Sequence, residues 1–206
     1  MRRKICEVTD PKEIERILAS TNVGRLSTNG SDGYPYITPV NFVHFNKCIY
    51  FHTALKGEKL NNISRDPKVC FEVDIPLSYI ESGFNPHNDP CRTHQFFHCV
   101  IIRGKAQMIS DEKLKVTALT ALVEKHEGKT DFKPILKSDL HKGCGVVEIV
   151  PEHMTAKSDI GQGRKYNKLA AEKMVKRGLQ HDLETIREMG YDYELDPTTK
   201  KYRLKD

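Results

Sequence analysis

Between His52 and Lys59 the chain reads His-Thr-Ala-Leu-Lys-Gly-Glu-Lys, closing one alternating segment and opening an apolar one. Phosphate wants cations together with hydroxyl or amide donors, and His52, Thr53 and Lys59 supply them within eight positions. Gly57 lets the backbone come close, and a helix that starts here presents free N–H groups. Strand ends also carry Gly and Lys for turn geometry and solubility, so spacing alone leaves both readings open. His52 has a second possible task, because imidazole donates or accepts a proton near neutral pH. The plain alternative is a surface histidine at a strand end.

A second cluster, Cys91, His94, His98 and Cys99, has the ligand types of a zinc site. His98 and Cys99 are adjacent, however, and on a strand they point to opposite faces. Convergence of all four is therefore not expected, and no metal is assigned. Arg103-Gly104 either brings a guanidinium toward a cofactor or partner subunit or is an outward-facing arginine. Lys157 to Asp159 and Gly161 to Arg164 form a donor-rich segment beyond the last expected strand.

These residues need elements to hold them. Asp10-Pro11-Lys12-Glu13 predicts a helix start, with Asp10 as N-cap, Pro11 at the first helical position and Glu13 reaching back. Strands are expected over Val23–Thr28, Tyr34–Phe45, Cys48–Thr53, Lys68–Asp74, Phe96–Met108 and Gly145–Val150, with turns at Asn29–Gly33 and Asn46-Lys47. Gly104 marks a bulge or a close backbone approach. Ser110 to Glu112 caps a helix whose face is Leu114, Ala118, Ala121 and Leu122. After Pro151 the texture turns helical. One helix is expected from Arg164 to Arg177, and a second from Leu183 to Met189 behind an Asp182 cap. Hairpins without regular βαβ alternation and without GxGxxG argue for an antiparallel barrel with peripheral helices, and against a dinucleotide-binding domain.

Composition narrows the partners. The 206 residues suffice for one domain plus an appendage. A net charge of +5, from 33 basic and 28 acidic residues, is too mild to call for nucleic acid. No apolar run reaches the roughly 20 residues a membrane span needs. The basic Met1 to Lys4 leads into Glu7 and Asp10 rather than an apolar core, so a cytoplasmic protein is expected. Six cysteines without a CxxC pair read as free thiols.

The segments DGYPYITPVNF, IYFHTALKGEKLNNI and VCFEVD, continued by HCVIIRGKAQMISDEKLKVTALTALVEKH, resemble the nitroimidazole-resistance (Nim) branch of the flavin-binding split-barrel proteins, relatives of pyridoxamine 5'-phosphate oxidase. The resemblance ends near Val146–Ile149. It implies a six-stranded antiparallel split barrel over residues 1–150. Residues 151–206 lie outside the resemblance and read as a helical extension packing on the barrel or the dimer partner. The resemblance also implies a homodimer with FMN at the interface. Pro39, Val40, Asn41 and Phe42 would line the flavin ring through backbone groups, while Pro39 alternatively just blunts a sheet edge. His52, Thr53, Lys59 and Leu60 would serve the ribityl phosphate. His98 stands where relatives often carry Ser, near the flavin, and Arg103 lies beyond it on the same strand. Where such chains tend to carry Thr-Gly-Lys, this one has Thr155-Ala156-Lys157.

The activity implied is an FMN-dependent oxidoreductase. A nicotinamide nucleotide or another reduced carrier would be the donor, a nitroaromatic or quinone-like compound the acceptor, and His52 the catalytic group. A non-catalytic flavin-binding or redox-sensing protein is a second reading. Haem binding through His87, His94 or His98 is a third. Authentic pyridoxamine 5'-phosphate oxidase activity is not expected, since those enzymes carry a tryptophan-bearing C-terminal motif and this chain has no Trp.

Overall fold

The structure is a computed structural model and describes residues 3–84, 86–128, 131–140, 143–162 and 167–205. Arg164 to Tyr166 of the expected helix, and Gly163-Arg164 of the donor-rich segment, lie outside the described residues. In chain order the elements are β1 (Glu7–Val8), α1 (Pro11–Ala19), β2 (Val23–Asn29), β3 (Pro35–Asn41), β4 (Val43–Phe45), β5 (Cys48–Thr53), α2 (Glu58–Arg65), β6 (Lys68–Ile80), β7 (His94–Met108), α3 (Glu112–Glu127), β8 (Gly145–Asp159), α4 (Asn167–Arg177), α5 (Gln180–Glu188), β9 (Tyr193–Leu195) and β10 (Tyr202–Leu204). The main sheet runs β3-β2-β6-β7-β8-β5-β4, with β1 pairing to β8. This is a mainly antiparallel sheet that is not closed, as a split barrel requires.

Eight strands form this sheet where six were expected. The run from Tyr34 to Phe45 is interrupted at Phe42, whose ring is fully buried, so its end becomes the separate strand β4. The two-residue β1 supplies the other extra strand. Pro39 lies on β3, at the end of the strand order, where a missing N–H costs no ladder bond. The strands are also longer than expected. β6 continues to Ile80, and β8 to Asp159, past the residue-150 boundary.

The chain divides into two compact units, Thr9–Val73 with Val100–Ala156, and Met1–Val8 with Asp74–Cys99 and Lys157–Asp206. In the first, Asp10 caps α1 by accepting from the Lys12 amide at 3.0 Å, while Glu13 pairs with Arg16 one turn on. Asp111 caps α3 through the Leu114 amide at 2.8 Å. The Asn46-Lys47 turn has both residues at positive φ, which matches the twist of the strands it joins. Phe42 and Phe71 meet edge to face with ring centroids 5.0 Å apart. Val43, Tyr50, Ile109, Ala118, Leu122 and Val146 form an apolar cluster. The Tyr50 hydroxyl leaves it by donating to Glu148 Oε1 at 2.7 Å, and Gln107 donates to the other carboxylate oxygen at 2.8 Å.

The second unit packs Ile80, Phe84 and Phe96 against Ala170, Ala171, Met174, Val175, Leu183 and Ile186. Asp182 does not cap α5, which begins at Gln180 behind Leu179. Its carboxylate is fully buried instead and accepts two bonds from the Arg177 guanidinium and one from Ser78 Oγ, each 2.6 Å long. A buried carboxylate needs that many donors, because desolvating the charge is costly. Asp159 is treated similarly. Burial opposes its ionisation, but His94, the Gly161 amide and Arg3 hold its carboxyl below the usual range.

Gly104 sets the spacing of two long strands. A Cβ there would sit 2.2 Å from the Val150 carbonyl oxygen, a backbone atom that cannot swing aside. Gly104→Ala should therefore destabilise the protein by about 2–3 kcal/mol. In a chain of this size that lowers the thermal midpoint by roughly 5–10 °C. A calorimetric midpoint within a degree or so of the parent would show that the strands have room to part.

Candidate functional site

Strand β5 alternates so that Phe51 and Thr53 are buried while His52 faces out. Thr53 pairs with Gly145 and His52 with Val146 across the ladder to β8. Beyond Thr53 the chain reaches Gly57 at φ 137° and ψ 163°, a conformation that only glycine adopts without strain. Gly57 is the N-cap of α2, and its carbonyl accepts from the amides of Leu60 and Asn61. No side chain caps this helix start. The amides of Glu58 and Lys59 are thus left with no acceptor inside the helix, facing the positive end of its dipole.

Three anchors fix where α2 begins. Leu60 and Ile63 are buried on its apolar face. The buried Asn62 side chain donates to Thr28 Oγ1 at 3.1 Å, and Arg65 donates to the Asn29 carbonyl. Asn29 in turn donates to Asp66 Oδ2 at 2.7 Å. Lys59 is half-buried and joins no ion pair among the described residues. The Thr53 hydroxyl is buried and has no hydrogen-bond partner among the described residues. A buried hydroxyl, helix-start amides without a side-chain cap and an ammonium in no ion pair among the described residues thus lie within one strand–turn–helix segment, Thr53 to Lys59.

The remaining expected residues distribute as follows. Pro39 and Asn41 are exposed, Val40 is buried at 8 % and Phe42 at 0 %, so any contact from Phe42 to a ligand would come from its backbone. Thr38, just before Pro39, has a second buried hydroxyl lacking a partner among the described residues. Arg103 is exposed and lines an open cleft of about 380 Å³ with Ile101, His153 and Thr155. His98 belongs to the other unit, where it is buried and lies 3.5 Å from Glu188. His94, also there, holds Asp159 at 3.1 Å.

Sequence reasoning passed over Lys125. It stands four residues after Ala121 and so falls on the apolar face of α3. Its ammonium lies 3.5 Å from the centroid of the Phe42 ring and donates to the Leu18 carbonyl at 2.9 Å. Burial pulls its pKa down to about 8. Next to it, His126 is held below the usual imidazole range by burial, by Lys125 and by His52. The available signal was a lysine in register with Ala118, Ala121 and Leu122, where an apolar residue is the rule.

The sequence profile of the pyridoxamine 5'-phosphate oxidase family matches residues 10–158. The chain belongs to that family. Comparison with curated proteins gives no match. Among solved structures, a Bacteroides thetaiotaomicron protein with a suggested role in 5-nitroimidazole antibiotic resistance is 22% identical with a TM-score of 0.62, the match covering 73% of this chain and 85% of that one. The flavocytochrome Anf3 from Azotobacter vinelandii is 19% identical with a TM-score of 0.64, over 77% and 71% of the two chains. An FAD- and heme-binding protein from Mycobacterium smegmatis is 11% identical with a TM-score of 0.63, over 74% and 72%. At these identities the likeness is one of fold.

The partnerless Thr53 hydroxyl has a measurable consequence. Thr53→Val keeps the shape and deletes a buried donor that nothing satisfies, so the ligand-free protein should be as stable as the parent or more so. A loss of more than about 1 kcal/mol in urea unfolding would mean that the hydroxyl already has a partner.

Proposed function

We propose that the protein binds FMN and uses it as a reductase, taking electrons from a nicotinamide nucleotide and passing them to a nitroaromatic or quinone-like acceptor. The observation that carries this reading is the donor set of Thr53, the α2 amides and Lys59, which suits one phosphate in a chain without a dinucleotide fingerprint. Family membership and neighbours that include a flavocytochrome and an FAD- and heme-binding protein support a flavin as the ligand. FMN, when bound, supplies the electron transfer itself.

The chain's residues bind and orient. Thr53 Oγ1 and the amides of Glu58 and Lys59 donate to the phosphate, and the Lys59 ammonium neutralises it. Backbone groups from Pro39 to Phe42 border the ring. His52 faces outward, where an incoming acceptor can meet its imidazole. In this reading two copies of the chain share the cofactor at their interface. Exposed Tyr34 (74 %) and Ile37 (61 %) at the edge hairpin are the kind of apolar surface a second copy would cover. A cytoplasmic location is part of the same reading. The haem alternative has less support, because His94 is held by Asp159 and His98 lies against Glu188.

Purified protein should show flavin absorption bands, release FMN rather than FAD on denaturation, and run as a dimer by light scattering. A nicotinamide nucleotide should bleach the bands and a nitroaromatic restore them. Bands that no donor bleaches would indicate a flavin-binding sensor, and a Soret band a haem protein. Lys59→Ala should raise the FMN dissociation constant roughly tenfold to a hundredfold with the fold intact. An unchanged constant would refute the phosphate seat. His52→Ala should lower FMN occupancy and turnover together, with excess FMN restoring the rate; retained FMN with lost turnover would make His52 a proton donor alone.

A further inference from the structure

Lys125 is an amine in an unusual place. Its Nζ rests over the Phe42 ring and on the Leu18 carbonyl, at the C-terminal end of α1. Open clefts of about 410 Å³ and about 800 Å³ flank it, and Val43, His44, Phe45 and Lys125 line both. The groove therefore has an apolar wall from β4 and the Lys125 side chain in its lining. We infer that this groove is a carbonyl-binding site, in which the Lys125 amine condenses reversibly with a small aldehyde bearing an apolar or aromatic body.

The step balances without a redox partner. The nitrogen lone pair forms a C–N bond to the carbonyl carbon, and the carbonyl oxygen takes up a proton while the nitrogen gives one up. The C–O bond then breaks, one water leaves, and an imine remains; water reverses the sequence. Such chemistry needs a neutral amine. At pH about 7 an amine with a pKa near 8 is roughly one-tenth free base, whereas an ordinary lysine near 10.4 is below about one-thousandth. Desolvation among apolar side chains is the established route to such lysines.

The charged neighbours are compatible with this role. His44 from β4 is held below the usual imidazole range by burial and by Lys125, against the opposing pull of Glu15 from α1. It is accordingly a neutral imidazole that can accept the proton the amine releases. Lys47 stands in the first cleft, and Glu124 of α3 and Asp131 beyond it in the second. His126, next on α3, is likewise kept toward the neutral form. The apolar part of the guest has Leu18, Val43, Phe45 and Phe132 to lie against.

The test is reductive trapping on the intact protein with benzaldehyde and cyanoborohydride, followed by peptide mass mapping. At pH about 7, Lys125 should be benzylated at least about tenfold faster than the exposed Lys12, with a rate that saturates in benzaldehyde and a pH midpoint near 8. Lys125→Met should abolish the fast label, leave Lys12 labelling unchanged and leave flavin content unaltered. Labelling of Lys125 no faster than Lys12 would overturn the inference. So would fast labelling that rises linearly with benzaldehyde, since that describes a reactive amine without a binding groove.

Discussion

The buried hydrogen bond from Asn62 to the Thr28 hydroxyl is the constraint on which the candidate site rests. Asn62 is 2 % exposed and Thr28 1 %. Each polar group would be expensive to bury alone, and together they lock α2 to the end of β2. Arg65 adds a bond to Asn62 Oδ1 at 3.1 Å and another to the Asn29 carbonyl, so the amide's acceptor is used as well. With the C-terminal half of α2 fixed, its first turn has one place to be. Gly57 can then take its glycine-only conformation, and the N-terminal amides face outward without a cap. A capping serine or aspartate at position 57 would satisfy those amides and remove the reason for a ligand to come.

Much of this was legible in the sequence because it is written in local chemistry. Pro39 marked an edge, Asn46-Lys47 a hairpin, Asp10 and Asp111 helix caps, and Gly104 a close backbone approach. Each is decided by one or two residues and their immediate backbone. The strand–Gly–Lys–helix pattern at Thr53 to Leu60 was legible for the same reason. Phe42 was not, because the break it makes between β3 and β4 depends on the Phe71 ring waiting in the core. Nor was the length of β6 and β8, whose continuation past Asp74 and Val150 depends on pairing partners distant in sequence.

Asp182 and Lys125 share a cause of failure. In both, a residue type with a strong local meaning was claimed by tertiary structure. Asp before a helical pattern usually caps, but Ser78 and Arg177 offered this carboxylate three strong bonds inside the fold, more than a helix start provides. Lys near a helix C-terminus usually points to water and complements the dipole. Lys125 instead turns onto Phe42 and Leu18, where its long stem fills apolar space and its charge loses hydration. Neither choice could be read without knowing which side chain lies opposite.

The threonines show how the fold separates structural polarity from functional polarity. Thr28 and Thr185 are buried and engaged, one with Asn62 and the other donating to the His181 carbonyl while accepting from the Ser78 amide. Their hydroxyls hold elements together. Thr53 and Thr38 bury hydroxyls that meet no partner among the described residues. An unsatisfied buried hydroxyl costs about 1–3 kcal/mol, which a folded chain tolerates only where something else repays it. Both lie in the strands that border the proposed cofactor, Thr38 next to Pro39 and Thr53 before the α2 cradle. Under the proposed function a bound phosphate and ring would give Thr53 and Thr38 the acceptors that Thr28 and Thr185 find within the fold.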